Sequence, residues 1–173
     1  MKSTGEVLGI DIVYEKALIK GFLAAGYKFP SHRGDVLLSL NDHFKEQSFD
    51  IAEILYDLGF RIVATTGTHK FLESHGIPSK EIENFDMRKI QEDMKFRRLS
   101  FVINTPTPKG HGVRIGSEDR GFLIRTYAEM FSTPCFTSID TARAYLKAML
   151  YYLENHGLTY NEIGEYKKTL VRI

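Results

Sequence analysis

The stretch Ala64-Thr65-Thr66-Gly67-Thr68-His69-Lys70 lies between an apolar run, "FRIVA", and the segment "FLESHGI". Three threonines and a glycine thus occupy the turn from a strand into a helix. The chemistry such a turn can do is anion binding. The first N–H groups of a helix have no partner within it, and the helix dipole favours negative charge there. Gly67 lets the backbone come close to a ligand, Thr65 and Thr68 can donate hydroxyls with Thr66 beside them, and Lys45 adds a point charge. The set suits a phosphate monoester. On its own the turn reads equally well as Thr66 or Thr68 capping a helix near a solvated Lys45.

Polar residues recur at other strand ends, which turns the reading toward a ligand crevice. Asn41, Asp42 and His43 follow the first apolar run, Asn104, Thr105 and Thr107 the fourth, and Thr137, Ser138, Asp140 and Thr141 the fifth. Other chemistries fare worse. His43, His69, His75 and His111 lack metal-ligand spacing, and no second cysteine supports zinc. Cys135, between Pro134 and Phe136, reads as a small buried hydrophobe, not as a nucleophile. The glycine-rich loop 105–121 carries Lys109, His111, Arg114 and Arg120, and its length favours a functional loop.

The elements that must position these residues follow from the pattern. Apolar runs at 35–40, 60–65, 79–84, 100–104 and 134–138 read as strands buried on both faces. Between them, helices are expected over 43–58, 68–75, 87–96 and 121–131, with another over 139–154. Ile51, Ile54, Leu55 and Leu58 make one amphipathic stripe, and Tyr145, Ala148, Met149 and Tyr152 another. Gly59 and Gly76 close two of these helices. Strand–helix alternation predicts an α/β fold with a parallel five-stranded sheet and helices on both faces. Ligands in such sheets bind beyond the carboxyl ends of the strands. Residues 1–33 differ in texture: an extended opening, a helix over 11–25 with Asp11 as N-cap and Gly26 as its end, then a linker. The main domain is expected over 34–155, with a tail, 156–173, that adds a short helix.

Bulk composition narrows the class. The 173 residues are 43% hydrophobic and 26% charged, with a net charge of +1. No global field draws the chain to nucleic acid or to a membrane surface. Lys95, Arg97 and Arg98 read as a solvated helix end. One cysteine suits a reducing cytoplasm. No apolar run approaches about 18 residues, and the N-terminus lacks a signal-peptide layout.

Several motifs, in order, then carry a resemblance. The run "VLLSLNDHFKEQSFDIAEILYDLGFRIVATTGTHKFLESHGI", with "FVINTPT", "GFLIRTYAE" and "PCFTSIDTARAYLKAM", resembles the C-terminal regulatory domain of the carbamoyl phosphate synthase large subunit. That domain belongs to the methylglyoxal-synthase-like superfamily, with a three-layer, Rossmann-like fold. The opening "MKSTGEVLGID" and helix 11–25 resemble the end of the preceding ATP-grasp half. The resemblance implies an allosteric module for a phosphorylated effector of the UMP or IMP type. Lys45, Thr65, Gly67 and Thr68 would hold the phosphate, with Asn104 and Thr105 lining the site. Thr137 and Ser138 match a segment placed near an ornithine site in some bacterial members. The implied partners are the ATP-grasp halves and the glutaminase small subunit, and a homo-oligomer is compatible. ATP and Mg²⁺ are expected in the catalytic part, and no cofactor in this chain. The work implied is regulation of a ligase of arginine or pyrimidine biosynthesis.

Two stretches depart from the family pattern. "KEIENFDMRKIQEDM" lacks the usual strand-end lysine, for which Lys80, Arg88 and Lys89 are the candidate replacements, and Ile124-Arg125-Thr126 stands where Ile-Arg-Arg is usual. Two other readings stay in view. A lyase acting on a triose phosphate needs carboxylate bases, and Asp42 is the only acid near the crevice. A purely structural or oligomerising domain would have a vestigial phosphate seat.

Overall fold

The computed structural model describes residues 6–30, 34–82, 86–106, 120–155, 158, 160–162 and 164–166. Two compact units are formed, one from Met1–Phe29 with Arg143–Ile173, the other from Pro30–Ala142. The second contains the sheet and every strand-end residue singled out above.

Five short strands build that sheet: β1 (Asp35–Ser39), β2 (Arg61–Thr65), β3 (Lys80–Ile82), β4 (Leu99–Asn104) and β5 (Cys135–Phe136). All pairings are parallel and the order is β3-β2-β1-β4-β5. The helices are α1 (Tyr14–Ala24), α2 (Phe49–Asp57), α3 (Thr66–Ser74), α4 (Met87–Lys95), α5 (Arg120–Met130) and α6 (Ile139–Asn155). The α/β fold expected from the alternation is the one observed. Chain direction reverses across the sheet between β1 and β4. Right-handed crossovers therefore put α2 and α3 on one face and α4 and α5 on the other.

Side-chain alternation along the strands agrees with that arrangement. Leu37, Val63 and Val102 share a buried cluster with Ile90 and Met94 of α4 and Ile124 and Ala128 of α5. Val36, Leu38, Ile62, Ala64, Phe101 and Ile103 point the other way and are equally buried. Phe101 makes edge-on contacts there with Phe60 and Phe136. Two covered faces explain why the strands read as unbroken apolar runs.

Helix ends follow the expected chemistry in part. Gly59 and Gly76, both at φ 76°, take the left-handed conformation that closes α2 and α3. Helices α4 and α5 have no glycine there, and Arg97 (φ 53°) and Ser132 (φ 52°) adopt it instead. The long helix expected over 43–58 is broken. Residues Asp42–Phe44 and Glu46–Ser48 form two 3₁₀ turns before α2 begins at Phe49. Ser48 causes part of the break: its hydroxyl donates to the Phe44 carbonyl at 2.6 Å and its backbone leaves helical geometry (φ −103°, ψ 1°).

Within the first unit, Asp11 is not the N-cap expected of it. Val13 occupies that position with no side-chain cap, and the helix starts at Tyr14. The Asp11 carboxylate is engaged elsewhere, accepting from the Val13 N–H at 3.1 Å and from Lys20 Nζ at 2.7 Å. Lys20 also donates to the Ile10 carbonyl and to the Tyr166 hydroxyl. Both charged side chains are nearly covered. Further along, Phe22, Phe29 and Tyr152 pack against or beside the buried Tyr145, whose hydroxyl donates to the Lys28 carbonyl. Burial raises the Tyr145 pKa. Of the tail, 164–166 forms a helical turn.

Burial raises the Asp11 pKa, but the Lys20 and Val13 hydrogen bonds, with the charges of Lys20 and Lys16, outweigh it and leave it below 3.8. Burial lowers the Lys20 pKa, yet its bonds to Asp11 and Tyr166 carry it above 10.5. The pair therefore stabilises fully at neutral pH. Its contribution fades as pH falls through the lowered Asp11 value, or rises through the raised Lys20 value. Lys20→Met should cost about 1–3 kcal/mol, because it strands a covered carboxylate. Urea midpoints should show a constant gap from wild type at neutral pH that narrows toward and below about pH 4. A gap independent of acid would overturn the assignment.

Candidate functional site

The sheet register sets the site. Leu38 pairs with Ala64, and Ser39 pairs with Asn104. One residue further, Thr65, Ser39 and Asn104 lie level across three neighbouring strands, β2-β1-β4. The strand order reverses at β1 and β4, so the gap beyond them is a topological switch point, where open α/β sheets bind ligands.

The chain beyond β1 is fastened on both sides by threonine hydroxyls. The Leu40 N–H donates to Thr68 Oγ1 at 3.0 Å, and Thr65 Oγ1 donates to the same oxygen at 3.1 Å. On the other side the Asn41 N–H donates to Thr105 Oγ1 at 2.7 Å, while the Thr105 N–H donates to the Ser39 carbonyl. Thr65, Thr68, Asn104 and Thr105 are all buried. Asn41 then caps the following 3₁₀ turn by accepting from the His43 N–H.

Above these ties lies a cavity of about 290 Å³, lined by Asn41, Asp42, Thr65, Asn104, Thr105 and Arg125 among others. Three sequence-derived candidates, Thr65, Asn104 and Thr105, are therefore brought together. Thr68 is placed differently from its expected role: it is fully buried and its hydroxyl is spent on β1 and Thr65, so it braces the turn without lining the cavity. Thr66 is half-buried in the first residue of α3.

Lys45 lies where the first 3₁₀ turn meets α3. Its Nζ donates to the Gly67 carbonyl at 2.8 Å and pairs with Asp42 Oδ1 at 2.5 Å. A Cβ at Gly67 would stand 3.2 Å from that Nζ, so glycine is what permits the approach. Thr65, the N-cap of α3, makes no side-chain cap bond. A cation thus sits beside a helix start that no side chain of Thr65 covers.

Arg125 is the residue that sequence reading missed. Gly121 and Arg125 lie one turn apart on α5 and both line the cavity. Arg125 Nη1 donates to Asn104 Oδ1 at 2.6 Å. The available signal was a cation next to the core position Ile124 and three residues before Ala128, which places it at the edge of the helix's buried face. Thr137 and Ser138 are exposed between β5 and α6, and neither is among the described residues lining the cavity. Lys80, Arg88 and Lys89 are exposed and are likewise not among them. Thr107, Lys109, His111 and Arg114 lie outside the described residues, and Arg120 opens α5.

The cavity offers donors and cations more than bases. Asp42 is the carboxylate among its described lining residues, and its side chain is 92% exposed. Cys135 packs half-buried against the α4/α5 cluster, and burial pushes its thiol up to about 11, with the Arg125 charge pulling it down only in part. A thiol so placed is a poor nucleophile. Among the described residues, no group of three or more His, Cys, Asp or Glu side chains could hold a metal ion. Nor is any described helix long and apolar enough to cross a membrane.

Thr68→Val keeps the shape of the brace but leaves the Leu40 N–H without its acceptor. It should cost about 1–3 kcal/mol. Thr66→Val, on the open side of the same turn, should stay within about 0.5 kcal/mol. Urea midpoints of the two variants check this, and equal effects would show that the inward bonds do not matter.

Comparison with known proteins agrees with the architecture. A family model described as "MGS-like domain" matches residues 47–137. The chain is 38% identical over 168 residues to the carbamoyl phosphate synthase large chain of Clostridium acetobutylicum, covering 97% of this chain and 15% of that one. It is 43% identical over 154 residues to that of Thermomicrobium roseum (87% and 14%). It is 40% identical over 146 residues to that of Clostridium botulinum (83% and 13%). The chain thus spans 13% to 15% of the length of these relatives. A solved methylglyoxal synthase from Elizabethkingia anophelis aligns with a TM-score of 0.49 and 18% identity, over 66% of this chain and 77% of that one. The family model covers more than half of the residues, and on that ground the chain belongs to the MGS-like domain family.

Proposed function

We propose that this chain is an effector-binding regulatory part of a carbamoyl phosphate synthase large chain, and that its effector is a phosphorylated metabolite of the UMP or IMP type. The observation that carries the reading is the convergence of three polar strand ends beneath a cavity that also borders Lys45 and the start of α3. A phosphate at that start would accept backbone N–H bonds from the first turn and the charge of Lys45. Lys45 has two N–H donors committed, to Gly67 and Asp42, so an arriving phosphate competes with Asp42 for the ammonium.

Regulation needs an effector that binds two packings of the larger enzyme with different affinity. The cavity meets β1, β2 and β4 at once, so a ligand there alters the ties that fix their loops relative to one another. A coupling of about 1–3 kcal/mol suffices for useful control. The names of the relatives support the partners of this reading: ATP-grasp catalytic parts and a glutaminase subunit, in the cytoplasm. ATP, Mg²⁺ and the chemistry belong to those parts, and this chain works without a cofactor.

Binding without turnover follows from the donor set. Taking a proton from carbon requires a base, and Asn104 and Thr105 are neutral. Asp42 is water-exposed and paired with Lys45. Thr137 and Ser138 keep their tentative place beside the ornithine side of the whole enzyme.

Calorimetric titration of the chain with UMP, IMP and uridine tests the proposal. Nucleotide should bind and uridine should not. Lys45→Ala should weaken nucleotide binding by at least about tenfold, while dihydroxyacetone phosphate should yield no methylglyoxal. Uridine binding as well as UMP, or no binding by either nucleotide, would overturn the phosphate seat.

A further inference from the structure

The cavity has two ends of different construction. On the β2 side stand Thr65, Gly67 and Lys45, around the start of α3. On the β4 side stand Asn104, Thr105 and, reaching down from α5, Arg125. Thr65 and Asn104 lie level across β1, so the ends are two strand spacings apart, roughly 10 Å. A lone phosphate cannot touch both.

The β4 end is a built one. Asn104 is buried to 2% exposure, and its side-chain oxygen receives Arg125 Nη1 at 2.6 Å. Holding that oxygen on the guanidinium fixes the plane of Arg125. A carboxamide orients a guanidinium without cancelling its charge, whereas a carboxylate would do both. Gly121, one turn earlier on the same face, contributes no side chain, so the wall beside Arg125 is open. A planar, pre-oriented fork of donors suits an oxygen acceptor with two lone-pair-bearing atoms, such as a carboxylate or the carbonyl edge of a base.

We infer that Arg125, oriented by Asn104, is a specificity-determining contact for the far end of the effector. The effector class is accordingly an elongated, two-ended metabolite, with phosphate at α3 and an oxygen-acceptor group at Arg125. The inference rests on the effector site proposed above. It explains why Ile124-Arg125 sits at the rim of a buried helix face: Ile124 anchors the helix in the core while Arg125 is delivered to the cavity.

Two probes differing only at the far end test it. 6-Phosphogluconate and sorbitol 6-phosphate share a carbon chain and a phosphate, but one ends in a carboxylate and the other in a hydroxymethyl group. Titrated into the whole chain, 6-phosphogluconate should bind at least about tenfold tighter. Arg125→Gln should bring the two within about twofold while leaving sorbitol 6-phosphate unchanged. Arg125→Lys, which keeps a charge but not the fork, should retain only part of the preference and guards against misfolding of the first variant. Equal binding of the two probes by wild type, or a preference that survives in Arg125→Gln, overturns the role of Arg125. If UMP binds in those same experiments, the phosphate seat stands and only this inference falls. If UMP and both probes fail to bind, the site itself falls.

Discussion

The candidate site depends on one buried hydroxyl. Thr68 sits in the first turn of α3, yet its oxygen takes the Leu40 N–H from the end of β1 and the Thr65 hydroxyl from the end of β2. Those strands would otherwise diverge into loops with unpaired backbone groups over the sheet edge, a costly arrangement in a buried place. Thr105 repeats the device on the β4 side, taking the Asn41 N–H. The segment after β1 is therefore pinned left and right, and everything that could meet a ligand is positioned from it.

The pinning has a functional consequence. Side chains committed to the backbone cannot also donate to a ligand, so the ligand-facing chemistry falls to groups around the ties: Lys45, the start of α3, Asn104 and Arg125. These are donors and cations on neutral supports. The one described lining carboxylate, Asp42, is solvated and held by Lys45. Such a cavity stabilises an anion and does little to it. The same fold can therefore serve binding in one member and proton transfer in another, according to what stands at the strand ends.

Much of this was legible in the residues. The five apolar runs became five strands because parallel strands covered on both faces carry an unbroken apolar signal. Gly59 and Gly76 closed their helices because few other residues tolerate a positive φ. Where reading failed, local competition had won. Ser48 turned its hydroxyl to the Phe44 carbonyl and broke a helix that the apolar spacing alone predicted. Asp11 was claimed by Lys20 before it could cap α1. Neither contest can be scored from propensities, since each depends on which partner arrives within hydrogen-bond reach.

The sequence by itself determined the kind of elements, their order along the chain and the polar character of the strand ends, because periodicity and turn chemistry are local. Only the tertiary structure decided which ends are neighbours. The order β3-β2-β1-β4-β5 brought Thr65, Asn104 and Thr105 together and left Thr137 and Ser138 at an exposed junction outside the described cavity lining. It also turned Thr68 inward and delivered Arg125 to Asn104. Strand order and side-chain direction arise from packing between segments far apart in the chain, and no window of sequence contains that information.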